Sequence, residues 1–478
     1  MVRGGHARSS GIDVTVNKNA ALEHIAAYFD RGDFVTDLSR RIAFETESQG
    51  KVRQEVMREY LARELQPALE SAGFSCYLWP NPVAGAGDLL FAERFEDPQL
   101  PTLLTYGHGD VVLGMEGRWR EGLSPWTLVR EGDRLFGRGS ADNKGQHSIN
   151  IAALAAVVAT RGHLGFNCKV LIETGEEAGS PGLRTVCARE AEHLRADIFI
   201  GSDGPRVAAE RPTVFLGNRG SFNFDMIVDL RQGAHHSGNW GGALANPAVI
   251  LAHALASITT ARGRILVDGW LPRELPARVR ELVRDLAVGE GTDSPEIDPD
   301  WGEPGLTTAE KVYGWNTFEI LAFGAGNPER PVNAIPGRAS AHCGIRFVVG
   351  SDPEGFLPSL RAHLDARGFQ IVTLRRAEKG YFNATRLDAD NPWVRWTVES
   401  LQRSTGKDVA ILPNLGGSLP NDVFAQDLGL PTVWIPHSYP ACSQHAVNEH
   451  LLASVARESL LMMTALFWDL GDKREKNG

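Results

Sequence analysis

The sequence predicts an α/β protein: a catalytic body with a mostly parallel sheet flanked by helices, plus an inserted α+β domain. Three observations predict it. Short apolar runs at 102–106 (TLLTY), 169–173 (KVLIE) and 197–201 (DIFIG) alternate with helical periodicity, the pattern of βα units. Between 214 and 377 the texture changes to alternating strands with amphipathic helices, then reverts. A chain of 478 residues also exceeds what one hydrophobic core usually organises, so a second domain is expected.

Taken in order, 20–69 is largely helical, with Ile25, Phe29, Phe34, Leu38 and Ile42 spaced to cover a sheet. The strand at 102–106 runs into Gly107-His108-Gly109-Asp110. The glycine-rich loop at 134–145 (RLFGRGSADNKG) delivers Asp142 to the positive end of a helix that starts near Asn143, with Ile149, Ala152, Leu154, Ala155 and Val158 as its apolar stripe. The strands at 169–173 and 197–201 empty into Thr174-Gly175-Glu176-Glu177 and Ser202-Asp203. Next, 214–230 alternates as one exposed antiparallel strand, 248–258 is its covering helix, 339–348 is a strand and 356–367 an amphipathic helix, whereas 265–310 yields no clear element. From Tyr381 the α/β texture returns, with a strand at 433–435 before His437 and His445 and a long helix from Glu449. The expected division is therefore 1–213 with 378–478 as the catalytic domain and 214–377 as the insert. The first dozen residues and the closing GDKREKNG read as disordered tails.

Composition excludes several functions. With 42% hydrophobic and 23% charged residues and a net charge of -10, the chain reads as soluble and globular, and its acidity argues against nucleic acid as a partner. Five cysteines, without a CxxC pair, fit a reducing compartment. No signal-type apolar segment and no membrane-length run occurs, so the cytoplasm is the expected location. There is no GxSxG, P-loop or HExxH motif, which leaves a serine hydrolase or nucleotide enzyme without support.

The chemistry-bearing residues instead fit a two-metal site. Two ions about 3.5–4 Å apart need one shared carboxylate and further nitrogen or oxygen ligands for each. His108 and Asp203 can serve one ion, Glu177 and His445 the other, and Asp142 both. Two divalent cations, three carboxylates and one hydroxide sum to neutrality, the state a buried cluster tolerates best. Oxygen and imidazole donors suit zinc, with cobalt or manganese as possible substitutes. Asp110 can accept the proton on the second ring nitrogen of His108 and set its tautomer. In extended chain Glu176 and Glu177 point to opposite sides, so Glu176 meets the reacting water only if the loop bends.

YGHGDV, GRGSADNKG, ETGEEAGSPGL, GSDG and SQHAVNE, in this order, resemble the two-zinc superfamily of aminoacylase, carnosine dipeptidase, acetylornithine deacetylase and succinyl-diaminopimelate desuccinylase, over about 20–470. The segments RGSFNFDMIVDLRQGAHHSGNWGGALANP and NAIPGRASAHCGIRFVVG resemble the inserted dimerisation, or lid, domain of the carnosine dipeptidase branch. The resemblance implies that His108, Asp142, Glu177, Asp203 and His445 bind metal and that Glu176 is the general base. It implies a homodimer in which His236 reaches across the interface to polarise the scissile carbonyl. It further implies that Arg346, Gly417 and Ser418 hold a substrate carboxylate, that Asn333 makes a polar lid contact, and that the Asp142–Asn143 bond is cis. Asn143 stands where many relatives carry a second aspartate, and HGD replaces a bulkier HxD.

The expected activity is metal-dependent hydrolysis of an amide bond in an N-acyl amino acid or a dipeptide with a free carboxylate, by a di-zinc-bound hydroxide with Glu176 as base. Two alternatives remain at this point. One is a non-peptide C–N aminohydrolase acting on a ureido or aryl-amine substrate; the other is a catalytically silent metal-binding dimer.

Overall fold

A computed structural model describes residues 17–50, 53–289, 295–377 and 382–472. The expected N-terminal tail, all but two residues of the C-terminal one, and Tyr381 lie outside them.

An eight-stranded sheet forms the centre, in the order Ser75–Trp79, Leu89–Arg94, Asn167–Glu173, Thr102–His108, Ile198–Gly201, Thr432–Trp434, Thr213–Phe215, Ala410–Leu412. Four of its seven pairings are parallel and three antiparallel, so the sheet is mixed, with its parallel run in the middle. The first two strands are joined by a nine-residue connection, 80–88, too short for a parallel crossover, and they pair antiparallel. The central strands are apolar throughout because both faces are covered. Val170, Ile172, Ile198 and Ile200 face one core, together with the helices Lys144–Arg161 and Ala453–Gly471; Leu171, Phe199, Leu104 and Tyr106 face the other, beside Leu183, Phe424 and Trp434.

A second, four-stranded sheet is antiparallel, in the order Thr317–Gly324, Arg338–Phe347, Gly220–Asp229, Thr373–Arg376. Its strict alternation puts Phe222, Phe224, Met226 and Val228 into a separate core with Leu251, Trp270, Phe356 and Leu360. The helices Pro247–Ala256 and Phe356–Asp365 cover that face.

Three sequence expectations change. The alternating run expected over 214–230 divides: Val214 and Phe215 lie in the central sheet, and the alternating strand starts at Gly220. The C-terminal helix begins at Ala453, not Glu449, because His450–Leu452 is a strand paired with Arg134–Phe136. The unassigned 265–310 stretch holds two short helices, Ala277–Val283 and Thr308–Gly314, the latter closed by a Thr307–Glu310 capping box. No described helix is long and apolar enough to cross a membrane.

Candidate metal centre and active site

The parallel strands bring their C-terminal ends to one edge of the sheet, the usual place for ligands in open α/β sheets. His108 ends the strand Thr102–His108, Asp203 follows its neighbour Ile198–Gly201, and Glu176 and Glu177 follow the neighbour on the other side, Asn167–Glu173. His445 arrives on the loop after Thr432–Trp434, held with positive φ of 60°.

Asp142 comes from a loop rather than a strand end. That loop wraps around the buried carboxylate of Glu449, which accepts the backbone N–H groups of Gly139, Ala141 and Asp142 at 3.1, 3.0 and 3.0 Å and the Arg138 guanidinium at 2.7 Å. The helix Lys144–Arg161 starts directly after it, with its positive end at Asp142. A side chain at Gly145 would put a Cβ 1.9 Å from the Ser140 carbonyl oxygen, so the turn requires glycine there. The Asp142–Asn143 peptide is cis. Lys144, buried and donating to the carbonyls of Arg41 and Phe44, is pushed down to about 7 by its burial.

The five expected ligands form two triads sharing Asp142: His108, Asp142 and Asp203, and Asp142, Glu177 and His445, with ligand atoms within 4.8 Å of one another in each. His108 Nε2 lies 3.0 Å from Asp142 Oδ1 and 3.5 Å from Asp203 Oδ2. His445 Nε2 lies 3.0 Å from Asp142 Oδ2 and 3.1 Å from Glu177 Oε2. Each oxygen of Asp142 therefore serves one triad.

The electrostatics of the cluster favour positive charge here. Burial pushes Glu177 up to about 7 and Glu176 well above the usual carboxylate range, and the neighbouring Asp142 reinforces both shifts. Burial opposes charge on His108 and His445, yet the surrounding carboxylates outweigh it: His108 is held well above its usual range and His445 is pushed up to about 11. Burial likewise opposes charge on Asp142, but the two imidazoles hold its carboxyl far below the usual range. Protons on the imidazoles thus stand in for positive charge. Glu177 Oε1 is buried with no hydrogen-bond partner among the described residues, a role that a metal ion would fill. The donor set fits a pair of divalent ions.

The loop at Glu176 is not extended chain. Glu176–Ala178 is one 3-10 turn, because the carboxylate of Asp110 accepts the N–H groups of Glu176 and Glu177, both at 3.1 Å. The bend that lets both glutamates face the site is therefore present. It also changes the part read for Asp110. The Nδ1 of His108 donates to the backbone carbonyl of Asp110 at 3.0 Å, while the carboxylate lies 3.4 Å away and is committed to the turn. A carbonyl only accepts, so Nδ1 keeps its proton whether the ring is neutral or charged, and Nε2 is the nitrogen that would release its proton to face a metal.

A cavity of about 860 Å³ opens over the triads, lined among others by Asp142, Glu176, Asp203, His445, Arg346, Gly417 and Ser418. Arg346 donates to the Ser418 hydroxyl at 2.5 Å. His236 and Asn333 do not line it. They lie side by side on the second sheet's domain, both exposed, where Ser237 N–H donates to the Asn333 carbonyl at 2.9 Å and His236 pairs with Ala334.

Sequence reading missed Glu449, Gln444 and Arg219. Glu449 ends the SQHAVNE motif, and Gln444, whose amide donates to Asp142, directly precedes His445. Their motif positions were the available signal. Arg219 opens the segment RGSFNFDMIVDLRQGAHHSGNWGGALANP, and that position was its only signal.

Residues 104–469 match the family model described as peptidase family M20/M25/M40. The chain is 31% identical over 365 residues to the human Beta-Ala-His dipeptidase, covering 72% of each protein. It is 26% identical over 383 residues to the cysteinylglycine-S-conjugate dipeptidase of Corynebacterium striatum, covering 77% of this chain and 80% of that one. Its fold matches the solved di-peptidase Dug1p from Saccharomyces cerevisiae with a TM-score of 0.80 at 20% identity, over 96% of this chain and 99% of the other. The chain belongs to peptidase family M20/M25/M40 and is a hydrolase of amide bonds.

Proposed function

We propose that the chain is a dipeptidase or N-acyl amino acid hydrolase that requires a free carboxylate on its substrate and two divalent ions, zinc being the ion its oxygen and imidazole donors suit best. The observation that carries this reading is one cavity that meets two triads at Asp203, His445 and their shared Asp142, with Glu176 and the Arg346–Ser418 pair on its walls. His108, Asp142 and Asp203 hold one ion; Asp142, Glu177 and His445 hold the other. Ions held there would supply the Lewis acidity that polarises a carbonyl and lowers the pKa of a water. Glu176 takes the proton from the attacking water and passes it to the leaving amine. Asp110 pins the turn that aims Glu176, and Arg346, Gly417 and Ser418 receive the substrate carboxylate.

The inserted lid begins near Gly220, past the expected boundary at 214, because Val214 and Leu216 pack in the central core; it ends by 377, and the catalytic domain comprises the chain on either side. Two separate apolar cores favour this division. The active form is a homodimer. The edge strand Thr317–Gly324 exposes Ile320, Leu321 and Phe323, an apolar edge suited to a second copy of itself, and His236 with Asn333 is placed to enter the partner's cavity. Five cysteines without a disulfide fit work in the cytoplasm.

The test is a panel of dipeptides, N-acyl amino acids and ureido compounds, assayed with zinc-, cobalt- and manganese-loaded protein and with its Glu176→Gln variant. Dipeptides or acyl amino acids are cleaved, and the variant keeps two ions while turnover falls about 10²- to 10⁴-fold. Cleavage of ureido compounds alone would overturn the substrate class, and an undiminished variant would remove Glu176 from the mechanism.

A further inference from the structure

Arg219 is 9% exposed, yet it forms no ion pair among the described residues, and its Nη1 meets no acceptor. Burying a guanidinium with only the unbonded Glu319 as a counter-charge is costly, so a compensating role is expected. Apart from the neighbouring Asn218, whose amide donates to the Arg219 carbonyl at 2.8 Å, its hydrogen bonds all fall on the segment 415–418. Its N–H donates to the Leu415 carbonyl at 3.1 Å, its Nε donates to the Gly416 carbonyl at 2.7 Å, and its own carbonyl accepts the Ser418 hydroxyl at 2.7 Å.

These bonds have a directional consequence. Within a trans peptide plane the C=O and the next N–H point opposite ways. Holding the carbonyls of Leu415 and Gly416 toward Arg219 therefore turns the N–H groups of Gly416 and Gly417 away from it. Among the described residues those two N–H groups meet no acceptor, and both glycines line the cavity above the metal triads. Because the Ser418 hydroxyl gives its proton to Arg219, its lone pair faces Arg346. Burial, reinforced by the charge of Arg346, pushes Arg219 down to about 10, so it remains cationic at neutral pH.

We propose that Arg219 is the positioning residue of the carboxylate cradle: its side chain, through the Gly416 carbonyl, aims the Gly417 N–H at the substrate's carboxylate, its backbone holds Leu415 and Ser418 in place, and its charge balances that carboxylate from behind. This rests on the reading of Arg346, Gly417 and Ser418 as the carboxylate site, and the experiment separates the two. The dipeptide turned over fastest in the panel is compared with the same dipeptide carrying a C-terminal amide, for the wild type and for Arg346→Met, Arg219→Met and Arg219→Lys.

Arg219→Met raises KM for the free acid about ten- to hundredfold, leaves kcat and the KM of the amide within about twofold, and retains two bound ions. Arg219→Lys keeps the charge but not the Nε geometry, and gives a smaller rise confined to the free acid. It carries the test if Arg219→Met does not fold. Equal losses on acid and amide, or no loss on either, would overturn the role of Arg219. An Arg346→Met enzyme that still favours the acid as the wild type does would instead overturn the carboxylate site itself, whatever Arg219 does.

Discussion

The carboxylate of Glu449 accepts the backbone N–H of Asp142 at 3.0 Å, so the residue shared by both triads is held from behind by an acid 307 positions later in the chain. The same carboxylate is paired with the fully buried Arg138. Replacing it by Glu449→Gln leaves that guanidinium without its counter-charge and weakens the grip on the loop. The expected cost is about 3–5 kcal/mol of stability. A lower thermal midpoint together with weaker zinc binding by titration calorimetry is the expected outcome; unchanged values for both would contradict it.

Because each oxygen of Asp142 faces a different triad, the ligands differ in what their loss does. Asp203→Ala removes one ligand from one triad only, whereas Asp142→Ala disturbs both. Elemental analysis after dialysis is expected to find about one ion per chain in the first variant and fewer in the second. Equal loss in both would argue against a shared carboxylate.

Donation across a dimer predicts complementation. A mixed dimer of one His236→Ala and one Glu176→Gln subunit contains one site with both residues intact. Each such heterodimer should show roughly half the wild-type rate, although each parent alone is nearly inactive. No recovery on mixing would place His236 outside the reaction.

Far from the site, Glu96 accepts the N–H groups of Leu164 and Gly165 at 2.6 and 2.8 Å and the Arg94 guanidinium at 2.9 Å. Burial opposes its ionisation, but these donors outweigh it and hold its pKa below the usual 4.5. A carboxyl depressed on folding contributes stability that is present above its unfolded pKa and lost as pH falls through the folded one. Glu96→Gln should therefore lower stability at pH 7 by about 1–3 kcal/mol. Melting curves of variant and wild type should converge as the pH falls below the unfolded carboxyl range; a constant gap would show that charge plays no part.

What could be read from the sequence was what repeats locally. The apolar runs at 102–106, 169–173 and 197–201 are strands in the structure, and the acidic and histidine residues after them reach one edge because parallel strands share a direction. Less legible was anything decided by a distant partner. The bend at Glu176 depends on the Asp110 carboxylate, 66 residues earlier. The late start of the C-terminal helix, at Ala453 and not Glu449, depends on strand pairing of His450–Leu452 with Arg134–Phe136. Val214 and Phe215 alternate smoothly into the next strand, and only their pairing with Ala410–Leu412 and Trp434 assigns them to the other sheet.

The chain passes between the two sheets next to Arg219, and the return passage runs alongside: Asn218 pairs with Thr385 and Gly217 with Arg386. The Asn218–Thr385 side-chain bond at 2.7 Å and the Asn421 amide on the same Thr385 hydroxyl at 2.8 Å tie this short ribbon to the central body. Two strands bonded edge to edge bend readily across their plane but resist sliding past one another. Arg346 pairs with Ser221, two residues beyond Arg219, so the arginine of the smaller sheet stands beside this ribbon and not at the far end of a long lever.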